Sequence, residues 1–426
     1  MHLYERISED LGRAVDEGDI GPGERLPSIR EVAERYDCNK LTAGRAFELL
    51  ARSGRIENRV GSGSYARAAS APDSGKADFS TARLSESFFP YEEAGSVLAG
   101  LLASERGRIF SAPEARGEPR LIAALSRRFG LAQDSILVTG GGQQGLDLVR
   151  RLFALRSGSF AVVEEPSYPG ALSTFKPRVA VPFGNEGPDP ERLAAAFEGA
   201  PPAARFFYTV PQLHNPTGRL HSLDVRRRIA KAAETLDFTI VEDDYLSEFV
   251  PSRLPRYIDL APDRTLWIKS LSKTLAPGIR IGVLAASPAR LAPIVKLRDE
   301  IDQGPSTWLQ LFAAGMLESG LYDKHLARVG QVADRRRAEL VAMIGELPGL
   351  RVAGGLQGYN LWVEAPETRV AGPHPWAEGW RFGRGESTRR CFRLSLMGMG
   401  EEDWPEAKES LRLCFTRGFA SGRVAR

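Results

Sequence analysis

The chain has 426 residues, 42% of them hydrophobic and 26% charged, with 57 Lys and Arg against 54 Asp and Glu for a formal net charge of +3. That balance excludes a disordered polyelectrolyte and predicts two or three globular domains with a large core. Three scattered cysteines (Cys38, Cys391, Cys414) without a CxxC pair exclude a disulfide framework or a zinc site, and neither an apolar run near eighteen residues nor a signal-like start is present, which predicts a cytoplasmic protein without a membrane segment.

The first predicted helix runs from Leu3 to about Asp16, with Ile7, Leu11 and Val15 four residues apart. Gly21-Pro22-Gly23 is a turn, and Ser28 with Glu31 three residues on forms a capping box opening a short helix to about Tyr36. Asn39 is placed to cap a second helix through Ala43, Ala46, Phe47 and Leu50, with Gly54 at its C′ position. Residues 55–60 and 64–66 flank Gly61-Ser62-Gly63 and predict a small hairpin. This is a winged helix-turn-helix pattern. The near-neutral total hides a polarity: residues 1–24 hold two basic against seven acidic side chains, whereas residues 25–67 hold nine basic against five acidic. A basic reading half of that kind suits a polyanion.

Residues 67–77 are small and polar and predict a linker between a head, 1–66, and a long body. In the body, apolar β-branched runs at Ser135–Thr139, Ser159–Val163, Arg205–Val210, Phe238–Val241, Thr265–Ile268 and Ile281–Ala285 alternate with amphipathic helices such as Gly145–Leu155 and Ser222–Thr235. The alternation predicts an α/β fold, a mostly parallel sheet covered on both faces, over 78–335. A smaller C-terminal domain is expected over 336–426.

Asn39, Lys40, Thr42 and Arg45 lie where a recognition helix meets base edges, while Arg30, Arg59 and Gly61 are placed for phosphates or the minor groove. Any one of these side chains could merely be solvated. Their ordered pattern, with Leu26-Pro27-Ser28-Ile29-Arg30, Leu49-Leu50 and Gly61-Ser62-Gly63-Ser64-Tyr65, resembles the winged helix of the GntR family of bacterial repressors over about sixty residues. Asn39-Lys40 stands where members often carry Ser-Arg, which keeps a cap and a cation but loses the bidentate fork.

In the body, polar and glycine-rich residues punctuate strand ends, where open α/β sheets bind ligands. Thr139-Gly140-Gly141-Gly142-Gln143 joins a strand to a helix and suits an anion. Ser270-Leu271-Ser272-Lys273 follows a strand, with Arg280 seven residues after the lysine, so hydroxyls and cations converge with the glycine turn. A lone lysine there would be surface chemistry; one beside another cation has a lowered pKa, the condition for Schiff-base formation. Val241 to Tyr245 ends another strand in carboxylates, Asn215-Pro216-Thr217-Gly218 follows a third, and Tyr168 sits in a Pro/Gly turn.

Together these motifs resemble the fold type I pyridoxal-phosphate aminotransferases over roughly residues 78–420. The resemblance implies that Lys273 forms the internal aldimine and that Asp243 pairs with the pyridine nitrogen. It implies that Tyr245 and Asn215 hydrogen-bond the phenolic oxygen, that Tyr168 stacks on the ring, and that Gly142, Gln143, Ser270, Ser272 and Arg280 hold the phosphate. Arg393 matches the arginine kept for a substrate carboxylate. Only about fifteen residues separate the strand Tyr359–Val363 from Gly379-Trp380-Arg381-Phe382, where members usually place a helix, so a shortened small lobe is expected. Head, linker and body resemble the MocR subgroup of GntR regulators. That implies a homodimer on paired half-sites of double-stranded DNA, sensing pyridoxal 5'-phosphate or its adduct with a small amino compound, with no metal. Two alternatives stay open: a working aminotransferase with an appended head, and a repressor whose body only dimerises.

Overall fold

The structure, a computed structural model, describes residues 3–16, 20–21, 23–52, 55–59, 62–66, 77–154, 160–176, 178–198, 205–250, 254–365 and 374–419. In the head, Ile7, Leu11 and Val15 line one face of α1 (Leu3–Asp16) and bury against Val32, Ala43, Phe47 and Leu50. The capping box forms as predicted: Ser28 Oγ accepts from Glu31 N at 3.2 Å, and a Glu31 carboxylate oxygen accepts from Ser28 N at 2.7 Å, opening α2 (Ile29–Arg35). Asn39 Oδ1 takes the Thr42 amide at 2.8 Å and so caps α3 (Lys40–Arg52). The wing is β1 (Ile56–Arg59) paired antiparallel with β2 (Gly63–Ala66). Gly54, Gly61 and residues 67–76 lie outside the described residues. Ala77, assigned to the linker, is already buried with the body's core.

The body begins with α4 (Tyr91–Ser104) and α5 (Pro119–Phe129), followed by β3 (Ile136–Thr139), α6 (Gly142–Ala154), β4 (Phe160–Glu165), α7 (Pro169–Thr174) and β5 (Arg178–Pro182). Next come α8 (Pro190–Ala196), β6 (Arg205–Thr209), α9 (Leu223–Thr235), β7 (Thr239–Asp244), α10 (Tyr257–Leu260), β8 (Thr265–Ser270) and β9 (Gly282–Ala285). These strands form a seven-stranded sheet in the order β3-β9-β8-β7-β6-β4-β5. Only β9 runs antiparallel to its neighbours. Side chains alternate between the faces: Leu137 and Ile268 join the core that includes Leu146 and Phe153 of α6, whereas Ile136, Val138 and Trp267 join the core of α4 and α5. The sheet is therefore covered on both sides, as its apolar strands require.

Six strands fall where the sequence predicts them, and β5 is additional. It is an edge strand that ends in Pro182 and has Val179 and Ala180 exposed, so it lacks the apolar face that marks a strand.

After β9, α11 (Pro288–Asp302), α12 (Thr307–Glu318) and α13 (Leu321–Gly345) lead to a four-stranded antiparallel sheet. Its order is β10 (Arg351–Val352), β11 (Asn360–Glu364), β13 (Cys391–Ser395), β12 (Ala377–Glu378), with α14 (Glu386–Arg389) before β13 and α15 (Trp404–Phe419) behind. The expected boundary at 335/336 falls inside α13, one helix of 25 residues, so the two lobes share it. Between β11 and β12, residues 366–373 are not described, and no helix stands there among the described residues.

Candidate functional site

The strand ends of the large sheet build one cleft of about 400 Å³. In a parallel sheet all carboxyl ends share an edge. Strand β9 runs the other way, so its start reaches that edge too: Gly282 pairs with both Thr139 and Ser270, and Arg280 just before it joins the turns after β3 and β8. The cleft is lined by all eleven body residues singled out in the sequence: Gly142, Gln143, Tyr168, Asn215, Asp243, Tyr245, Ser270, Ser272, Lys273, Arg280 and Arg393. A second cavity, of about 440 Å³, is lined by Arg128 and Arg337, but these are paired with Asp323 and Asp334 and offer no spare charge.

At one end of the cleft, α6 begins at Gly142, and the first amides of a helix have no partner within it. The Gln143 side chain is committed to Thr174 Oγ1 at 3.1 Å. Gly141 has φ of +92°, and a β-carbon there would meet the Arg280 guanidinium at 2.9 Å, so the turn needs glycine. Ser272 Oγ is buried without a hydrogen-bond partner. Amides, hydroxyls and a guanidinium thus converge where an anion would be held.

Lys273 closes the turn after β8, and its Nζ donates to Ala82 O at 2.6 Å. Burial, then the Arg393 and Arg280 guanidinium groups, bring its ammonium down to about 8. Near neutral pH a usable fraction of the amine is therefore free to attack a carbonyl. Asp243 on β7 is half-buried at the cleft and accepts from Tyr208 OH at 2.7 Å. Burial lifts its carboxyl to about 6 against the opposing pull of that hydrogen bond.

Arg393 on β13 is buried and donates from Nη1 to Asn215 Oδ1 at 2.9 Å and from Nη2 to Ser80 O at 2.5 Å, while its Nε has no partner. Burial lowers its pKa to about 10. Tyr245 OH donates to Leu213 O at 2.7 Å and accepts from Asn360 Nδ2 at 3.1 Å. The Tyr245 proton expected on a phenolic oxygen is thus held by Leu213 O in this arrangement, whereas Asn215 gives only its Oδ1 to Arg393 and keeps its Nδ2 as the donor for such an oxygen.

Several members of the site carry no local sequence signal. Ser80, Thr81 and Ala82 form one wall and supply the carbonyls that hold Lys273 and Arg393. Tyr208 hides in an apolar strand. Its pairing opposite Val241 puts it one position from Asp243 on the same face, and a lone polar ring in such a run is the signal that could have found it. Behind Asn215, the buried Glu164 accepts from Thr209 Oγ1 at 2.5 Å and Val210 N at 3.0 Å, and lies 2.8 Å from His221 Nε2 and 3.4 Å from His214 Nε2. Burial would raise its carboxyl, but the two imidazoles outweigh that and hold it well below the usual range. The loop carrying Asn215 is fixed by this cluster. Arg381 and Phe382 line the mouth.

On the head, Asn39, Lys40 and Arg45 are exposed and Thr42 half-exposed at the start and along the outer side of α3, and Arg30 is exposed at the start of α2. The Arg59 backbone lies in β1.

Two families match the chain: "Bacterial regulatory proteins, gntR family" over residues 3–65 and "Aminotransferase class I and II" over residues 83–378. It belongs to the MocR group of GntR-family regulators. As such a regulator it is 30% identical to the HTH-type transcriptional regulator TauR of Rhodobacter capsulatus over 95% of this chain and 94% of that one. It is 32% identical to the 2-aminoadipate transaminase of Thermus thermophilus over 66% of this chain and 72% of that protein. Among solved structures, LysN, the α-aminoadipate aminotransferase of Thermus thermophilus with bound N-(5'-phosphopyridoxyl)-L-leucine, matches with a TM-score of 0.72 at 26% identity, over 80% of this chain and 92% of that one. The chain is a transcriptional regulator of the DNA-binding GntR class with an aminotransferase-like body, and pyridoxal phosphate is that body's cofactor. The MocR-type cleft fits the group: an anion cradle with an unpartnered buried hydroxyl, a lysine of lowered pKa, and a half-buried carboxylate. Among the described residues, no helix is long and apolar enough to cross a membrane.

Proposed function

We propose that this regulator senses pyridoxal phosphate together with a small amino compound and changes its DNA binding in response. One observation carries the reading: a cleft with Lys273, Asp243 and Arg393 in one chain with a winged helix. In it Lys273 would hold the cofactor by condensing with its aldehyde carbon with loss of water, Asp243 would pair with the pyridine nitrogen, and Tyr168 would cover the ring. Gly142, Gln143, Ser270, Ser272 and Arg280 hold the phosphate, and Arg393 receives the effector's carboxylate. The bound cofactor supplies an electrophilic carbonyl and an electron-withdrawing ring. Arg30, Asn39, Lys40, Thr42, Arg45, Arg59 and Gly61 contact DNA, and a homodimer would present two heads to paired half-sites.

The test is binding to the chain's own upstream DNA, with and without pyridoxal phosphate, across a panel of amino acids. The expected result is a change in affinity or bending that requires the cofactor and one class of amino compound, and that is lost in Lys273→Ala. DNA binding indifferent to both ligands sinks the sensor reading.

A second reading, a working transaminase, is favoured by the intact polar set around Lys273 and by the likeness to an enzyme. Multiple turnovers at about one per second or faster would establish it.

A further inference from the structure

Four cations line the cleft, Lys273, Arg280, Arg381 and Arg393, against one acid, Asp243. On the sensor reading, three of the four have a ligand group to meet. Arg280 belongs to the anion cradle, Lys273 to the cofactor carbonyl and Arg393 to a carboxylate, while Asp243 answers the ring nitrogen. Arg381 is left over.

Its place is built rather than incidental. Its neighbour Phe382 is buried and lays its ring 5.0 Å from the Arg393 guanidinium, so the two arginines flank the same apolar wall. The backbone here is pinned to the large lobe: Ser167 N donates to Phe382 O at 2.7 Å, and Glu165 accepts from the amides of Arg384 and, at 2.7 Å, Gly385. Arg381 itself has no ion pair or side-chain hydrogen bond among the described residues. Its charge opposes that of Arg393, whose pKa is lowered first by burial and also by this neighbour. Two guanidinium groups lining one cleft whose single acid, Asp243, is assigned to the ring nitrogen favour a ligand that brings two anionic groups.

We propose that Arg381 is the anchor for a second carboxylate and that the effector is an α-amino dicarboxylic acid. The proposal rests on the sensor reading above. Arg393 takes the α-carboxylate in the buried part of the cleft, and Arg381 takes the distal carboxylate at its mouth. Because Arg381 is exposed, its pair is screened and its effect is selectivity rather than great affinity. Salt should erode that selectivity.

The test uses the full chain loaded with pyridoxal phosphate and compares each acid with its amide: glutamate with glutamine and aspartate with asparagine, with 2-aminoadipate as the longer acid. Binding is read by calorimetry and by the change in absorption of the bound pyridoxal. At least one acid should bind about tenfold more tightly than its amide, the size expected of a charge-assisted pair at a half-open site. Arg381→Gln should narrow that ratio to within about twofold and Arg381→Lys should keep part of it, with circular dichroism and melting temperature as controls for folding. Equal binding of acids and amides by the wild type, or a ratio that survives Arg381→Gln, overturns the proposal while leaving the sensor reading standing. If no amino acid perturbs the loaded protein, the sensor reading falls and takes this inference with it. Should Arg381→Gln instead change the oligomeric state, the arginine belongs to an interface between copies, and the proposal is overturned.

Discussion

Tyr208→Phe isolates the carboxylate at the base of the cleft. Among the described residues the Asp243 carboxylate accepts one hydrogen bond, from Tyr208 OH at 2.7 Å, and burial has already lifted its carboxyl to about 6. A hydrogen bond to a charged group contributes about 1.5–3 kcal/mol. At about 1.36 kcal/mol per pH unit, its loss raises Asp243 by roughly one to two units, to about 7–8. On the proposed reading an ionised Asp243 would hold the ring nitrogen, so loading should fall away as pH drops through that pKa. A second limb lies at higher pH, since Lys273, at about 8, must lose its proton before it can attack. The wild type should therefore load in two steps, near pH 6 and near pH 8. In Tyr208→Phe the lower step should climb toward the upper one, leaving only about a quarter to three-quarters of Asp243 ionised at pH 7.5. Spectrophotometric titration with pyridoxal phosphate from pH 5 to 9 reads both limbs. A lower limb at the same pH in both proteins would refute the role of Asp243, and a change in fold would show in the melting temperature.

A β-carbon at Gly170 would lie 2.4–2.6 Å from ring atoms of Tyr168, so Gly170→Ala should push that ring out of place and weaken pyridoxal-phosphate binding by about tenfold; an unaltered titration would show that the ring does not cover the cofactor. Lys269 is fully buried between Asp244, at 3.0 Å, and Glu248, at 2.5 Å, and Lys269→Met should cost about 3–5 kcal/mol in urea unfolding, because two buried acids lose their cation. Arg45→Ala on α3 should weaken DNA binding across salt concentrations and, if Arg45 meets a phosphate, lower the salt slope by about one. Loading the cleft with cofactor and an effective amino acid should raise amide hydrogen exchange across residues 80–85, and protection that stays the same would separate that segment from the signal.

What could be read in the sequence was local. A glycine turn opening a helix, two serines and a lysine after an apolar strand, and a capping box before a short helix each depend on neighbours within a few residues, so their spacing shows. Eleven such residues converge because the strand ends bearing them share an edge. Partners distant in the chain leave no such trace. Ser80 and Arg393 are 313 residues apart, and nothing in Asp78-Phe79-Ser80-Thr81 signals that a carbonyl there holds a guanidinium. The Glu164 cluster gathers side chains from β4, β6 and the loop after it, in runs that look like plain strand or turn. Arg381 stood in view beside a shortened connection, and only the fold brings it to the cleft.

The same long-range bonds bear on how occupancy could reach the head. The two cations that a cofactor and an effector would engage are both tied to one stretch: Lys273 donates to Ala82 O and Arg393 to Ser80 O. In sequence that stretch directly follows the segment joining head to body. A ligand group that takes Lys273 removes the first tie, and a carboxylate that recruits Arg393 competes with the second, so each ligand would loosen the same few residues. Coupling then needs no contact between ligand and head. It needs only that the arrangement with those ties broken bind DNA differently from the arrangement with them made, and the shift is limited by the ligand's difference in affinity for the two. Cofactor alone would break one tie and cofactor with amino acid two, which makes a graded response in DNA binding, rather than one set by the cofactor alone, the signature of this route.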